Sequence, residues 1–556
     1  MPVEGSKRKV RMWDKRDHCM YCDNDVTNFS RHLIRKHKEE PSVRMILDMP
    51  KGDKSRKIML SSLRKEGNFS LIEEKQIIRP VQRLNLAKAD EEQPVSDFMP
   101  CPFCKGVYRK SSLTKHVKKC PQNQNEKNSK LNVQSLGQNL MAFNASKSQF
   151  INKTRIKNEV YSRMNADRIA LVGKSDPIIS QYGDDYLKKH KRPHIRNAVS
   201  NKVRELGRLL IQLQDIYKIS TMIDALDTQH YDKVVHAVHI ISGYDPKTKV
   251  FQAPSLAMHM RTNLLYTCLA AKTLLLKRDP VLHVSNHEEV LKKVKSFRNL
   301  VEERWKFDMG SLVQKDLEEK HGEKPQNIPI TSDVIKFQKH VLEFCEKSYK
   351  DLQDDPKNAT AYKNLSEATL VYTMVHNRKR PGDAQYTRLE SYTQITTENN
   401  QEEFVANMTA AEKLLNSQYK RITTLGKGSK RVAILFPQKL QNYVDLLIKT
   451  RSNFVNAANP YLFGDPNTLE WLNGPYLMAK FAKSSKARHP ETLTSSRLRK
   501  QIATVLQVLN LSPVEREQLA SFMGHTEKTH NEYYRLVCHH TIMKKLHYQF
   551  LVELCC

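Results

Sequence analysis

The sequence predicts a mainly α-helical chain with small β-hairpins, in which two small metal-binding modules and an all-helical domain precede a C-terminal α+β domain. Three observations predict this class. Apolar residues recur at steps of three and four, as in VRELGRLLIQLQDIYKISTMIDAL (203–226), which is the period of an amphipathic helix. Two β-type runs, 421–425 and 431–436, flank a Gly-rich turn and predict a hairpin. Near the N-terminus, two C-x2-C pairs are each followed by further Cys or His residues.

The charge of the chain indicates a polyanionic partner. Lys and Arg number 92 against 60 Asp and Glu, a net charge of +32 that is spread along the chain. Nucleic acid is the expected partner of this kind. We expect no membrane partner, since no apolar run reaches the length of a span and the N-terminal region lacks a signal-peptide core. In a reducing compartment, Cys pairs near His predict metal sites rather than disulfides.

The first element, residues 1–45, is predicted to be a zinc-binding module. Its pattern is C-x2-C-x9-H-x4-H, and the candidate ligands are Cys19, Cys22, His32 and His37. Two Cys on a short knuckle and two His about one helical turn apart are able to converge on a tetrahedral ion. The gap between the Cys and His pairs is shorter than in the usual finger. Residues 46–97 are interpreted as a linker.

The second element, residues 98–122, is predicted to be another structural zinc module with the pattern C-x2-C-x11-H-x3-C. Its candidate ligands are Cys101, Cys104, His116 and Cys120. Residues 123–196 are rich in Asn, Gln, Lys and Ser at their start, and we interpret them as a basic polar linker.

Two interpretations remain open for the basic residues of the first module and for the two basic runs. Arg31, Arg35 and Lys36 of the first module could reach DNA phosphates or bases, with contact to a protein as the alternative. The runs GSKRKVR (5–11) and KKHKRPHIR (188–196) could be nuclear import signals or a surface that faces DNA.

The two large elements follow. Residues 197–325 carry helical periodicity throughout and predict an all-helical domain. Residues 326–556 mix helical patterns with the predicted hairpin and form the C-terminal domain.

Five residues occur in order through the C-terminal domain: Arg380, Lys427, Arg499, a His at 525 and a Tyr at 533 or 534. A Tyr hydroxyl is able to attack a DNA phosphorus and form a covalent phosphotyrosine. Two Arg forks hold the non-bridging oxygens of the transition state, and a Lys donates a proton to the leaving 5′-oxygen. Such a site needs neither a catalytic metal nor ATP.

These motifs resemble those of the tyrosine recombinases of the phage-integrase type. RPGD (380–383) is similar to the family's R-x-x-E box and GKGSKRVAILFP (426–437) to its hairpin lysine box. RLRKQIAT (497–504) is similar to its H-x-L-R helix and MGHTEKTHNEYY (523–534) to its L-G-H…Y segment. The resemblance covers roughly residues 326–540, and it implies an α+β catalytic domain preceded by a helical core-binding domain that clamps double-stranded DNA.

By this resemblance Arg380, Lys427, Arg499 and His525 activate the phosphate, and Tyr534 is the nucleophile. The family keeps about nine residues between its His and its Tyr, which selects Tyr534 and leaves Tyr533 as the second candidate. Asp383 stands at the acidic position of the first box. Lys430, Arg497 and Lys500 are candidate DNA contacts.

One position departs from the family pattern. Where the family carries His, or sometimes Lys or Tyr, this chain has Ser496. A Ser hydroxyl donates a hydrogen bond but does not act as a base near neutral pH. The departure leaves the catalytic competence of the site open.

The resemblance therefore leads to three expectations for function. The first is site-specific recombination or DNA integration by a nuclear protein of a Crypton-like mobile element, or a domesticated derivative, that acts as a dimer on one site and a tetramer in synapsis. The second is a catalytically impaired, zinc-finger DNA-binding protein that regulates rather than cleaves. The third is an activity like that of a type IB topoisomerase.

Overall fold

The structure is a computed structural model that describes residues 16–75, 77–81, 97–123, 132–143, 150, 154–190, 193–323, 328–394, 418–426, 431–505 and 517. It divides into two compact units, Met1–Lys324 and Pro325–Cys556. The described residues are mainly helical and contain four two-stranded antiparallel sheets. The prediction of a mainly α chain with small hairpins is thereby confirmed. Among the helices in these ranges, none combines the length and the apolar character that crossing a bilayer requires.

The elements of the first unit begin with two hairpin-and-helix modules. The strands are β1 (Asp17–Cys19), β2 (Asn24–Val26), β3 (Phe98–Pro100), β4 (Val107–Arg109), β5 (Tyr244–Asp245) and β6 (Val250–Phe251). The helices are α1 (Phe29–Lys36), α2 (Pro41–Leu47), α3 (Lys54–Lys75), α4 (Lys110–Val117), α5 (Val133–Ala142), α6 (Arg168–Ser175), α7 (Pro177–Lys188), α8 (Ile195–Tyr217), α9 (Met222–Ala225), α10 (Tyr231–Ser242), α11 (Pro254–Leu276), α12 (His287–Glu303) and α13 (Ser311–Glu323).

The first module is a β1–β2 hairpin followed by α1. Asn28 caps this helix, since its side chain accepts a hydrogen bond from the Arg31 backbone N at 3.2 Å. Phe29 and Leu33 lie on the buried face of α1. The second module repeats this plan with β3, β4 and α4, and Leu113 is its fully buried helical residue.

Helix α3 lies in the segment that the sequence analysis interpreted as a linker, and it contacts both modules. Asn68 accepts from the His18 backbone N at 2.8 Å and donates to Asp17 Oδ1 at 2.9 Å. Glu66 pairs with Lys105 of the second module at 2.6 Å. A Cβ on Gly67 would lie 2.2 Å from the His18 carbonyl oxygen, so only glycine fits there. Because α3 uses polar groups and a glycine for packing, its apolar periodicity is weak.

The segment interpreted as a basic polar linker (123–196) also differs in the structure. It contains α5, α6 and α7, and their buried residues, such as Ile179 and Tyr182, belong to the same hydrophobic core as α8 to α13. Some of the buried side chains in this segment are polar and form hydrogen bonds with one another. Lys174 Nζ donates to Ser135 Oγ at 3.3 Å, and Tyr161 bonds to Ser180 at 2.9 Å. The helical domain therefore begins well before residue 197.

The second unit is built on a pair of long helices and one hairpin. Its helices are α14 (Thr331–Asp354), α15 (Ala359–His376), α16 (Pro381–Gln385), α17 (Leu389–Thr393), α18 (Gln438–Thr450), α19 (Gly474–Ser484) and α20 (Ser495–Val505), and its strands are β7 (Tyr419–Leu425) and β8 (Arg431–Pro437). The predicted hairpin is confirmed, with Ile422 opposite Ile434. Phe337 of α14, Leu370 of α15 and Phe436 of β8 share its core.

Two polar side chains hold the parts of this unit that carry the candidate site. Asn377, which follows α15, accepts from Leu435 N at 2.7 Å and donates to Leu435 O at 2.8 Å, which fixes β8 to the end of that helix. Asp333 accepts from the backbone N atoms of Arg488 and His489 at 2.9 and 2.8 Å. The segment before α20 is thereby tied to the start of α14.

Candidate functional site

The structure brings the first predicted ligand set together. The ligand atoms of Cys19, Cys22, His32 and His37 all lie within 4.8 Å of one another and could hold a metal ion. Cys22 Sγ lies 3.3 Å from His32 Nε2, and the Nε2 atoms of the two His lie 3.2 Å apart. Burial, and the positive charges of His37 and Lys36, lower the pKa of His32, which favours the neutral imidazole that a metal requires.

The second predicted set converges in the same way. The ligand atoms of Cys101, Cys104, His116 and Cys120 also lie within 4.8 Å of one another. Cys104 Sγ lies 3.3 Å from His116 Nε2, and the Sγ atoms of Cys101 and Cys120 lie 4.0 Å apart. The Tyr108 ring stacks on the His116 imidazole with centroids 3.9 Å apart and so orients it.

The spacing within both sets fits a tetrahedral ion. Bonds of about 2.3 Å to sulfur and about 2.0 Å to nitrogen place tetrahedral ligand atoms about 3.3 to 3.8 Å apart. The S···N, N···N and S···S separations of 3.3, 3.2 and 4.0 Å agree with this geometry. In the second set, a hydrogen bond from Cys101 is the main cause that lowers the pKa of Cys104, whereas the same pairing, followed by burial, raises the pKa of Cys101.

The candidate DNA contacts of the first module lie on the exposed surface of α1. Arg31, Arg35 and Lys36 are all exposed, and Arg31 and Arg35 lie on the side of the helix opposite the buried Phe29 and Leu33. In the second module, exposed basic side chains flank α4 in the same way: Arg109, Lys115, Lys118 and Lys119. Each module therefore presents basic groups on the helix that follows its hairpin.

In the second unit, Arg380 and Asp383 stand together at the start of α16. Arg380 is the N-cap, and Pro381 at the first helical position fits the missing N–H there. The Arg380 backbone N donates to Asp383 Oδ2 at 3.3 Å, and the Asp383 backbone N donates to Arg380 O at 2.9 Å. Asp383 is buried, so it fixes the turn that presents Arg380.

Arg499 belongs to the same site as Arg380, although it lies 119 positions later in the chain. It lies in α20 and is 1% exposed, next to the equally buried Leu498. Ser495 Oγ at the start of α20 donates to the Lys379 backbone oxygen at 2.6 Å. This bond joins α20 directly to the turn that carries Arg380.

Lys379 is a residue of this site that the sequence analysis missed. It is 1% exposed, and burial lowers the pKa of its ammonium to about 7. Asp383 raises the pKa, whereas Arg499 and Arg380 lower it, so all three charges act on the same amine. We call Lys379, Arg380, Arg499 and Asp383 the cation cluster. The run of three basic residues just before Pro381 was the available signal for Lys379.

The side chain of Ser496 lies beside this cluster and not inside it. Ser496 is exposed and lines a cleft of about 540 Å³ together with Ser495, Pro381 and Met478. Arg497 Nη1 donates to the Glu491 carbonyl oxygen at 2.9 Å, which holds its side chain along the surface. Lys500 is partly buried. The position at which the recombinase pattern has an imidazole therefore opens onto a cleft next to Arg380.

Several predicted residues lie outside the described part of the chain: Lys427 and Lys430, which follow β7 in the sequence, and His525, Tyr533 and Tyr534 near the C-terminus. Comparison of the chain with models of known families, with curated proteins and with solved structures finds no match.

Proposed function

We propose that this chain cleaves and rejoins DNA strands through a covalent 3′-phosphotyrosyl intermediate, as a recombinase of the tyrosine type. The observation that carries the proposal is the convergence of Arg380 and Arg499 on the buried Lys379, with Asp383 as the acidic member of the cluster. Three cationic side chains and one carboxylate, largely withdrawn from water, suit an anionic ligand such as a phosphodiester.

The reaction follows from these groups. The Tyr534 hydroxyl attacks the scissile phosphorus and releases its proton to solvent water. A P–O bond to Tyr534 forms, and the P–O5′ bond breaks. Lys427 donates a proton to the leaving 5′-oxygen. Arg380, Arg499 and His525 hold the non-bridging oxygens, where charge accumulates in the transition state. Attack by the 5′-hydroxyl of another strand reverses the step and rejoins DNA to a new partner.

Burial of the cluster increases the electrostatic stabilisation that its charges give to the transition state. The interaction of two unit charges at 4 Å is about 1 kcal/mol in water and about 4 kcal/mol at an effective dielectric constant of 20. Because Arg499 is 1% exposed, its charge acts at the higher end of this range. Side chains fixed in advance also require little reorganisation when the phosphate becomes pentacoordinate.

The other elements suit the same function. The two tetrahedral Cys and His sets would hold structural zinc ions, which stabilise modules whose hydrophobic cores are small. The exposed basic side chains of α1 and α4, and the net charge of +32, fit contact with DNA phosphates. Exchange between two duplexes would use a dimer on each site and a tetramer in synapsis, in the nucleus, for a mobile element or a gene derived from one.

Covalent trapping tests the proposal. A pool of nicked duplexes with randomised sequence, in which the cleaved fragment diffuses away, is incubated with the full chain, and adducts are recovered under denaturing conditions and sequenced. Wild type and the matched control Tyr533→Phe are expected to form the adduct, whereas Tyr534→Phe forms none. A wild type that gives no adduct, or a Tyr534→Phe variant that still does, contradicts the proposal.

Ser496 favours a second candidate function, that of a DNA-binding protein with impaired cleavage. Its exposed hydroxyl lines the cleft beside Arg380, where it supplies no base near neutral pH. The variant Ser496→His separates the two candidates. An adduct formed by wild type supports the recombinase, and an adduct formed only by Ser496→His supports the impaired protein.

A further inference from the structure

Arg378, which neither the motifs nor the cation cluster includes, occupies a backbone position that favours glycine. Its φ is 49°, in the left-handed region, directly after the C-cap residue of α15. The Arg378 backbone N donates to Val375 O at 3.4 Å, and the Lys379 backbone N donates to Met374 O at 3.3 Å. This is the glycine-type ending of a helix, at which a residue with a Cβ is disfavoured.

The environment of the Arg378 side chain also disfavours its positive charge. Its Nη1 atom is enclosed and makes no hydrogen bond within the part of the chain that the structure describes. Burial lowers the pKa of Arg378 to about 10, so the group remains charged at neutral pH. The pKa of His376 is lowered first by burial and then by the charge of Arg378, and an imidazole has no anionic form near neutral pH that could pair with the guanidinium.

A comparison within the chain shows what is unusual here. Arg278 has the same φ of 49° and ends α11 with the same backbone bonds, from its own N to Leu275 O at 3.0 Å and from the Asp279 N to Leu274 O at 3.0 Å. The Arg278 side chain, however, is 76% exposed and lies 3.9 Å from Glu288. Two arginines thus share one backbone geometry, but only Arg378 has an enclosed guanidinium nitrogen without an acceptor.

We infer that Arg378 forms an anion subsite that binds a second phosphodiester of the DNA strand, next to the one held by Arg380 and Arg499. An enclosed guanidinium without an acceptor is stabilised by an oxyanion, and a phosphate presents two oxygens to its fork. Arg378 follows α15 two positions before Arg380, so both side chains belong to one turn. A strained backbone at a site that binds a ligand fits this role. The inference rests on the proposed function.

The test uses the full chain and a duplex oligonucleotide of fixed sequence, with wild type, Arg378→Gly, Arg378→Gln and the matched control Arg278→Gly. Thermal melting and DNA affinity over a range of salt concentrations are measured. Arg378→Gly is expected to keep or raise the melting temperature, since glycine suits a φ of 49°. It is also expected to bind DNA about tenfold more weakly, with a salt slope smaller by about 0.9, the value for one lost phosphate contact.

Arg278→Gly should likewise keep or raise the melting temperature, which shows the effect of glycine on this backbone geometry alone. Arg378→Gln keeps the backbone strain and removes the charge, so it reports on the subsite even if the glycine variant does not fold. The inference is overturned if Arg378→Gln binds the duplex with the affinity and the salt slope of wild type. It is also overturned if wild type does not bind the duplex. Trapping of the Tyr534 adduct is a separate readout, so the proposed function and the subsite are able to fail independently.

Discussion

Lys379→Met is expected to remove a pH dependence of stability that the buried ammonium creates. The pKa of Lys379 is about 7 in the folded chain and 10.5 for an ordinary lysine. Between these values the unfolded chain binds a proton that the folded chain has released. The free energy of unfolding of wild type therefore rises with pH across this window, and it is lowest below pH 7, where the folded chain carries a buried charge.

The size of the effect follows from the pKa difference. Each pH unit inside the window contributes about 1.36 kcal/mol. Because the folded lysine is still half protonated at pH 7, the gain between pH 7 and pH 9 is about 2 kcal/mol. The difference in unfolding free energy between wild type and Lys379→Met should grow by this amount, in favour of wild type, as the pH is raised.

Hydrogen exchange measured by mass spectrometry on peptides of α15 reports the opening of the second unit within the full chain. The control Lys483→Met removes an exposed lysine of the same unit and should give a difference that does not change with pH. A difference between wild type and Lys379→Met that stays flat from pH 7 to pH 9 would refute the description of Lys379 as a buried amine with a lowered pKa.

Three further predictions concern the metal sets, α3 and the cation cluster. Elemental analysis should find two zinc ions per wild-type chain and one in each of Cys22→Ala and Cys104→Ala; an unchanged zinc content in either variant would exclude its ligand set. Gly67→Ala should destabilise the contact of α3 with β1 by about 1 to 3 kcal/mol, because the new Cβ would lie 2.2 Å from a β1 carbonyl oxygen, whereas Gly52→Ala, with nothing within 4 Å, should not. Limited proteolysis of 54–75 distinguishes these two variants, and equal cleavage would contradict the clash. Arg499→Lys should lower the rate of adduct formation by about 10²-fold because a lysine lacks the two-pronged fork, and a rate within a factor of two of wild type would remove Arg499 from the site.

The parts of the fold that the sequence predicted are those whose signals are local. The hairpin of β7 and β8 follows from two β-type runs around a turn, and the two zinc-type modules follow from ligand spacing within about twenty residues. The α3 and α5 to α7 helices were interpreted as linkers because polar residues and a glycine that also pack inside, such as Asn68, Lys174, Ser135 and Gly67, interrupt the pattern of their apolar core residues.

The sequence by itself determined the residue types that chemistry requires: the two metal-ligand sets, the excess of positive charge, and the order of Arg380, Lys427, Arg499, His525 and Tyr534. Only the tertiary structure decided which of the many basic residues lose contact with water. Burial depends on segments far apart in the chain, such as α20 and the turn before α16, and the bond from Ser495 to Lys379 joins them. Burial shifts the pKa of an ionisable group. Lys379 and Arg378 therefore became distinguishable from surface cations only once those segments had come together.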